Sequence, residues 1–583
     1  METQCMDNEH TVNDEVVGGI DPTAEVTHYD VVIIGAGING AGLFRDLCEQ
    51  GVSCLLVEKK DYGAGTSAAP SRLIHGGLKY IETAELGLVA QSTLERNLLL
   101  RNAPHYVTPL STFIPTFSWT KGVFAALRTL CGSTTAPRSR GALLIKVGLA
   151  IYDFYGARKR VMPKHRFLFR RRALALLPIL NRNIVALGNY YDAKIAQPER
   201  LVWELVKDGL AANEQSLALN GTALRQVEQG VLSFQQDNGH VTRVSTNIVI
   251  NAAGPWIDKV NQSLGVDSRM IGGTKGSHIL LDHAPLIRAL DGAMIYFEAD
   301  DGRICLVFEY LGRALVGSTD SKADDPDTVK CEEEEIDYFL QSLSSLMPSL
   351  SFTRDQIVYA YSGIRPLPLT DAAIPGLISR DHSAPVFEAT HERPFAIISL
   401  IGGKWTTFRG FAEEVADDVL KRLHKSRRVS TQDLPIGGGR DFPLSVAKRK
   451  QWVTQVSERS GLQIERVDQL LERYGSHAQN VALHQGEWQD DQRLPDSNDV
   501  SLAEIDWIVK NEQVNHLDDI VMRRTTLAVT GEVTLKDIEA ISQVAAKQLT
   551  WDEQRKHQER EALIKQLVNK NRYRFYPDRP LSR

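Results

Sequence analysis

Cysteine is scarce in this chain, with six in 583 residues: Cys5, Cys48, Cys54, Cys131, Cys305 and Cys331. No pair has C-x-x-C spacing, and two lie inside the glycine-rich unit described below. That usage suits a reducing compartment and argues against a disulfide framework. Long apolar runs are also missing. A helix that spans a bilayer needs roughly 18 consecutive apolar residues, whereas the longest approach, Ala142 to Ile151, is short and carries Lys146. The first 27 residues are acidic and polar without an apolar h-region, so a disordered tail is expected there, not a secretory signal. No internal repeat is evident, and no metal site is expected.

Acids are nearly absent from one long stretch. Between Arg96 and Tyr191 there are sixteen Lys or Arg and one acid, Asp153. The whole chain carries −6, so the remainder carries about −21 against the +15 of this segment. The densest part, Arg158 to Arg172, follows the apolar ALLIKVGLAIYDFY. Cations beside an amphipathic stretch can bind an anionic membrane surface, at about 1 kcal/mol each. A solvated basic face, or an internal partner for the acidic remainder, explains the charge equally well. Nucleic acid is not expected, since no recognition motif accompanies the charge.

What is present organises the chain. At 583 residues two or three domains are expected. Tyr29 to Glu58 opens with Val31 to Ile34, an apolar run that reads as a strand buried on both faces. It enters Gly35-x-Gly37-x-x-Gly40 and a helix closed by Gly51; Cys54 to Val57 is a second buried strand ending on Glu58. The glycines serve a tight turn, close approach to a pyrophosphate, and helix–strand packing. The helix N-terminus offers N–H groups and partial positive charge to phosphate. Glu58, eighteen residues after Gly40, is placed to accept from both ribose hydroxyls of an adenosine and would repel a 2′-phosphate.

DYGAGTSAAPSRLIHGGLKY then reads as a loop running under a bound group. Helices are expected over Leu86 to Arg101 and Leu201 to Ala212, and strands from Thr222 to Ile250 with a hairpin turn at Asp237-Asn238-Gly239. Ile248 to Pro255 is a buried strand ending on small residues. Gly273 to Asp320 is antiparallel in pattern and forms a natural cap. A helix follows over Cys331 to Met347, whose Glu332 to Glu335 favour its positive end. Ile357 to Pro366 and Phe395 to Leu400 are strands, the latter entering Gly402-Gly403-Lys404 and a long helix. Gly437 to Asp441 marks a linker, and Leu444 to Lys570 is almost wholly helical in pattern. An early nucleotide strand, a late strand returning to a GG-helix and a cap between them suggest a flavoprotein.

IIGAGINGAG, TSAAPSRLIHGGLKYIE, APHYVTP, NAAGPW, KGSHIL, VGSTD, YSGIRPL and IGGKWTTFR closely resemble, in order, FAD-dependent glycerol-3-phosphate dehydrogenases; ERYGSHA and MRRTTLAV extend the likeness more loosely. The resemblance implies an α/β (α+β) fold: an FAD-binding Rossmann-like domain of the glycine/glucose-oxidase type, an antiparallel-sheet substrate cap and a C-terminal all-α domain. It divides the chain into a tail at 1–27, an oxidoreductase unit at 28–430 and a helical domain at 440–583. Within the unit, about 28–80, 190–262 and 355–425 would bind FAD, with the cap at about 81–189 and 263–354. The implied activity is oxidation of sn-glycerol 3-phosphate to dihydroxyacetone phosphate, with electrons passing from FAD to quinone, or in some relatives to oxygen. A cytoplasmic protein peripherally associated with the inner face of a membrane is expected; oligomeric state is left open, a homodimer being one option.

The same resemblance implies FAD contacts through Gly35, Gly37, Ile38, Asn39, Gly40, Glu58, Lys59, Thr66, Ser67, Ser71, Leu73, His75, Gly76, Gly77, Ala253, Gly254, Gly402, Gly403, Lys404 and Thr406. It places His278 and His75 near the flavin. A neutral imidazole suits removal of the hydroxyl proton near pH 7, with His278 preferred, His75 the alternative, and a structural role for both the third reading. Arg365 and Lys404 align with the cations that hold phosphate, one by a planar fork and the other as a point charge. Arg380 and Lys79 are secondary candidates, and Tyr80 can hydrogen-bond at the same end. The sequence departs from the family at Lys79, where arginine is usual, at Ala69-Pro70, and at Gln197 to Leu201 in place of DDARL. Those departures leave open a related FAD enzyme acting on another small hydroxy or amino acid. A membrane-associated FAD-binding protein without turnover is the remaining alternative.

Overall fold

The computed structural model describes residues 25–575 apart from 82–84, 122–140, 158, 160, 318, 324, 370–380, 489–490 and 498. Most of the expected tail lies outside the described residues, and the first strand begins earlier than the apolar run suggests, at Val26. That strand, Val26–Ile34, pairs in parallel with Val241–Asn251 on one side and Cys54–Val57 on the other. Ala396–Ser399 extends the parallel sheet beyond Val241–Asn251, and Leu217–Leu219 beyond Cys54–Val57. Val31, Val32 and Ile33 are fully buried, each side chain contributing about 1.5–3 kcal/mol relative to exposure. Helices cover the sheet because small residues let them approach. Gly42 of helix Ile38–Glu49 faces the Phe408 ring, and Gly209 of helix Pro198–Ala212 faces Phe44.

Among the described residues, a second sheet of ten strands stands beside the first. Its centre is Thr274–Leu281, flanked antiparallel by Arg313–Gly317 and Ile357–Arg365. Met294–Glu298 and Ile304–Tyr310 continue it as a hairpin, and Val107–Thr116 and Ala186–Ile195 complete the far side. Ile357–Arg365 thus belongs to the cap sheet, although the chain segment containing it was expected on the FAD side. A strand's own residues carry no label for the sheet it joins; that is settled by its long-range partner, here Thr274–Leu281. Glu332 caps helix Glu333–Leu346 through a capping box, while Glu335 also pairs with Lys275 at 2.8 Å. The acids at this helix start are structural, as expected from the dipole.

The expected linker is not loose. Gly437–Gly439 is buried, the Gly437 N–H donates to Asp208 at 3.0 Å, and any Cβ at Gly437 would meet the Glu204 carboxylate. Helices then fill most of 446–571. The helix Glu553–Asn571 reaches back to the cap, where Asn571 Nδ2 donates to the Ala360 carbonyl at 3.1 Å.

Candidate active site

A cavity of about 1210 Å³ lies where the two sheets and the C-terminal helices meet. At one end the first strand delivers the glycine loop. Gly35 has φ +102°, and a Cβ there would sit 2.7 Å from the Ala252 carbonyl oxygen; one at Gly40 would collide with the Gly35 carbonyl. The loop and the strand end at Ala252-Ala253-Gly254 are therefore closed against each other, and only glycine fits. Glu58 is held by two backbone donors, Ala36 N–H at 2.8 Å and Lys60 N–H at 3.0 Å. Burial raises its carboxyl above the usual value, and those N–H groups counter the shift. The Ile38 N–H at the helix start donates to Ser67 Oγ at 2.9 Å, so one of the donors expected to be open to phosphate is already engaged. This cradle fits the adenosine and pyrophosphate end of FAD.

Gly35, Gly37, Ile38, Asn39, Glu58, Lys59, Ala253 and Gly254 all line the cavity. Gly40 faces the strand instead, consistent with its packing role. Lys59 sits near the Trp256 ring, at 4.9 Å, and 3.7 Å from Asp327. Further in, Thr66, Ser67, Ser71, Leu73, His75 and Gly77 form one wall. Gly76 turns away, its N–H donating to Tyr152 Oη at 2.9 Å and Asp192 Oδ1 at 3.0 Å. The opposite wall carries Gly402, Gly403, Lys404 and Thr406. Gly402 and Gly403 have φ of +70° and +83°, and Thr406 Oγ1 accepts the His75 N–H at 3.2 Å. The helix entered here starts as a tight turn, Trp405–Thr407, before the α-helix Phe408–Arg422. Asn39 Oδ1 is buried with no protein partner beside this turn.

The candidate chemical groups fall in two sets within the same cavity. In one, Lys404 Nζ donates to Ser92 Oγ at 2.9 Å and lies 3.7 Å over the Tyr80 ring, while His75 and Tyr80 rings stand 6.5 Å apart. Tyr80 supports the ammonium by its ring face, where a hydroxyl contact at the phosphate end was expected. In the other set are His278 and Arg365. His278 is buried, neither ring nitrogen has a protein partner, and its ring stacks on Tyr361 at 4.9 Å. Burial foremost, then Arg365 and Arg72, push the imidazole down from the ordinary 6.5 to about 3, so it is neutral near pH 7. Arg365 is already ion-paired: Nη1 is 2.8 Å from Asp320 Oδ1, and Nη2 donates to the Thr319 carbonyl at 3.2 Å. Arg380 lies outside the described residues, as does the Lys79 side chain.

Several groups here escaped the sequence reading. Arg72 is buried at φ +58°, bonded to Glu199 at 2.8 Å and close to the rings of Tyr310 and Tyr361 at 5.5 Å each. Glu199 comes from the divergent segment Gln197 to Leu201, which begins helix Pro198–Ala212 and turns its acid inward. The C-terminal domain adds Met522, Arg523 and Asn571 to the cavity wall. The sequence signals here were the likeness of SRLIHGG, which holds Arg72, and of MRRTTLAV, which holds Met522 and Arg523, to the family; neither motif covers Glu199 or Asn571.

A family model described as FAD dependent oxidoreductase matches residues 30–417, and one described as the C-terminal domain of alpha-glycerophosphate oxidase matches residues 429–556. A glycerol-3-phosphate dehydrogenase of a Synechocystis species is 33% identical over 557 residues, covering 91% of this chain and 95% of that protein. An aerobic glycerol-3-phosphate dehydrogenase of Staphylococcus aureus is 28% identical, over 85% of this chain and 86% of its own length. The crystal structure of a glycerol-3-phosphate dehydrogenase from Bacillus halodurans complexed with FAD superposes with a TM-score of 0.70 at 22% identity, covering 93% of this chain and 94% of the other. That likeness establishes a shared fold. With a family model spanning well over half its residues and a 33% identical relative matched nearly end to end, this chain belongs to the FAD-dependent glycerol-3-phosphate dehydrogenase family.

Proposed function

We propose that this protein oxidises sn-glycerol 3-phosphate at C2 to dihydroxyacetone phosphate. The observation that carries the reading is one cavity joining a dinucleotide cradle to His278, Arg365 and Lys404; the Synechocystis and Staphylococcus relatives bear the corresponding name. FAD, when bound, accepts the hydride. Arg365 and Lys404 hold the phosphate dianion, and His278 receives the hydroxyl proton. A dianion beside Arg365 offsets the cationic field around His278 and raises the proton affinity of its imidazole. Phosphate binding thus contributes to readying the base as well as to affinity. Purified protein should be yellow and should bleach anaerobically with glycerol 3-phosphate; flavin that stays oxidised sinks the assignment. Arg365→Leu should weaken apparent affinity about 30- to 1,000-fold, the 2–4 kcal/mol of a lost charged contact.

The reading extends to a membrane quinone as electron acceptor, with the protein peripheral on an anionic surface. Among the described residues no helix is long and apolar enough to cross a membrane. Helix Ala142–Tyr155 instead carries an outward stripe of Leu143, Val147, Ala150 and Phe154, the last 76% exposed. Exposed Trp119 and Phe169 pair at 6.0 Å, extending the apolar face, and the Trp119 carbonyl accepts the Leu143 N–H at 3.2 Å. Lys146, Lys164, Arg166 and Arg170 to Arg172 are exposed in the same region. An apolar face edged by cations is the pattern of an interfacial element. The basic stretch is not uniform, however: Arg96 is buried and paired with Asp192 at 3.0 Å, the internal role also foreseen for this charge. The inward side of the helix, Ile145, Leu149 and Tyr152, packs with Tyr80 and Tyr190 of the cavity wall, so the helix backs onto the site. Flavin reduced by substrate should reoxidise faster with a quinone analogue than with oxygen, and the reverse order would favour an oxidase.

A further inference from the structure

His278 owes its place to strand pairing. In the cap sheet it sits directly opposite Gly317 on one neighbouring strand and Tyr361 on the other. Directly paired residues project to the same face of a sheet, about 4.5–5.5 Å apart. Gly317 presents no side chain, and the imidazole leans over it; a Cβ at 317 would collide with His278 Cδ2. From the other side the Tyr361 ring stacks on the imidazole with centroids 4.9 Å apart and planes inclined by 16°.

The Tyr361 ring is itself braced. Its hydroxyl donates to the Pro70 carbonyl at 2.8 Å, and the Arg72 guanidinium lies 5.5 Å from the ring centre. Arg72 donates to Glu199 at 2.8 Å and to the Ala68 carbonyl at 3.1 Å. Its backbone is at φ +58°, a conformation a non-glycine residue keeps only where its surroundings impose it. Catalytic imidazoles are normally oriented by a hydrogen bond to the second ring nitrogen. His278 has none: both nitrogens are buried without a protein partner.

We propose that Tyr361 and Gly317, braced by the Arg72–Glu199 pair, are positioning residues that hold the His278 imidazole by stacking and close packing in place of an orienting hydrogen bond. The inference rests on the reading of His278 as the base. In this arrangement neither nitrogen is spent on orientation, so one meets the substrate hydroxyl while the ring plane stays fixed by its neighbours. The phenol face also favours the imidazolium that forms as the proton arrives, because a ring quadrupole attracts a cation.

The test compares wild type, His278→Asn, Tyr361→Leu, Tyr361→Phe and Gly317→Ala as FAD-loaded enzymes. It follows anaerobic flavin bleaching by glycerol 3-phosphate in H2O and D2O. His278→Asn should slow bleaching about 100-fold or more. Tyr361→Leu and Gly317→Ala should each slow it about 10- to 100-fold at saturating substrate, as a misplaced base does. Both should leave apparent affinity within about threefold and raise the solvent isotope effect, while Tyr361→Phe, which keeps the stack, should stay within about threefold of wild type. A slow His278→Asn beside a fast Tyr361→Leu or a fast Gly317→Ala overturns the positioning role. Equal losses of rate and affinity with an unchanged isotope effect overturn it too. A fast His278→Asn overturns the base assignment itself. Should Tyr361→Leu fail to bind FAD, Gly317→Ala decides alone.

Discussion

Asp61 and Arg524 form a buried bidentate pair, with Nη1 2.7 Å from Oδ2 and Nη2 2.9 Å from Oδ1. Arg523 Nε adds a third donor at 2.7 Å. Asp61 lies three residues after Glu58, so this contact locks the C-terminal helices to the nucleotide edge of the FAD-binding sheet. Removing one partner leaves an uncompensated buried charge, and Asp61→Asn should destabilise the protein by about 3–5 kcal/mol in denaturant titration. A loss below about 1 kcal/mol would contradict this.

The same pair sets an acid limit. Burial alone would raise the Asp61 carboxyl, but Arg524 and Arg523 overcome it and hold it down to about 2. A depressed folded value means stability present above the ordinary value near 3.8 and lost as pH falls from there toward 2. Thermal unfolding followed from pH 5 to 2 should show that loss in wild type and a flatter response in Asp61→Asn.

His516 gives the opposite sign at the other edge of the same domain. Its Nδ1 lies 3.0 Å from Glu559 and its Nε2 3.1 Å from Asp237, the hairpin turn of the FAD-binding sheet. The Glu559 hydrogen bond foremost, then Asp237, raise the imidazole to about 9 against desolvation. Its stabilising contribution is complete below the ordinary 6.5 and fades as pH rises through 9. Hydrogen exchange near Asp237 should quicken across that window in wild type and show no such step in His516→Gln.

At the glycine loop, Gly40→Ala would force a methyl group into the Gly35 carbonyl. Overpacking of this kind costs about 1–3 kcal/mol. FAD affinity should fall about 5- to 150-fold, read from flavin fluorescence released on dilution. Retention equal to wild type would show that the loop can shift without harm to the cradle.

On the outer face of helix Ala142–Tyr155, Phe154→Glu places a charge where an apolar ring is exposed. Losing that ring from an interface removes about 1.5–3 kcal/mol. Sedimentation with anionic vesicles should drop about 10-fold or more, and wild-type binding should weaken with salt. Bleaching by glycerol 3-phosphate without vesicles should be unchanged, since the ring points away from the cavity.

The stretch from Tyr29 to Glu58 was legible by itself because a strand, a glycine turn, a helix and an acid are local signals, each set within a few residues of its neighbours. The strands of the cap and the hairpin at Asp237 to Gly239 were legible for the same reason, as were the glycine pair before Lys404 and the collinear motifs. What needed the tertiary structure was everything decided by partners far apart in the chain. Ile357–Arg365 joined the cap because Thr274–Leu281 pairs with it, and that pairing, together with the one to Arg313–Gly317, set Tyr361 and Gly317 on either side of His278. Gly437–Gly439 looked like a linker because nothing nearby in sequence reveals Glu204 and Asp208. Arg72 found Glu199 across 127 residues, and Asp61 found Arg524 across 463. Burial, which moved His278 to about 3, is likewise a property of the assembled walls. Local sequence determined which cofactor end comes first and which residue types are available; long-range packing decided which of them meet, and with what charge.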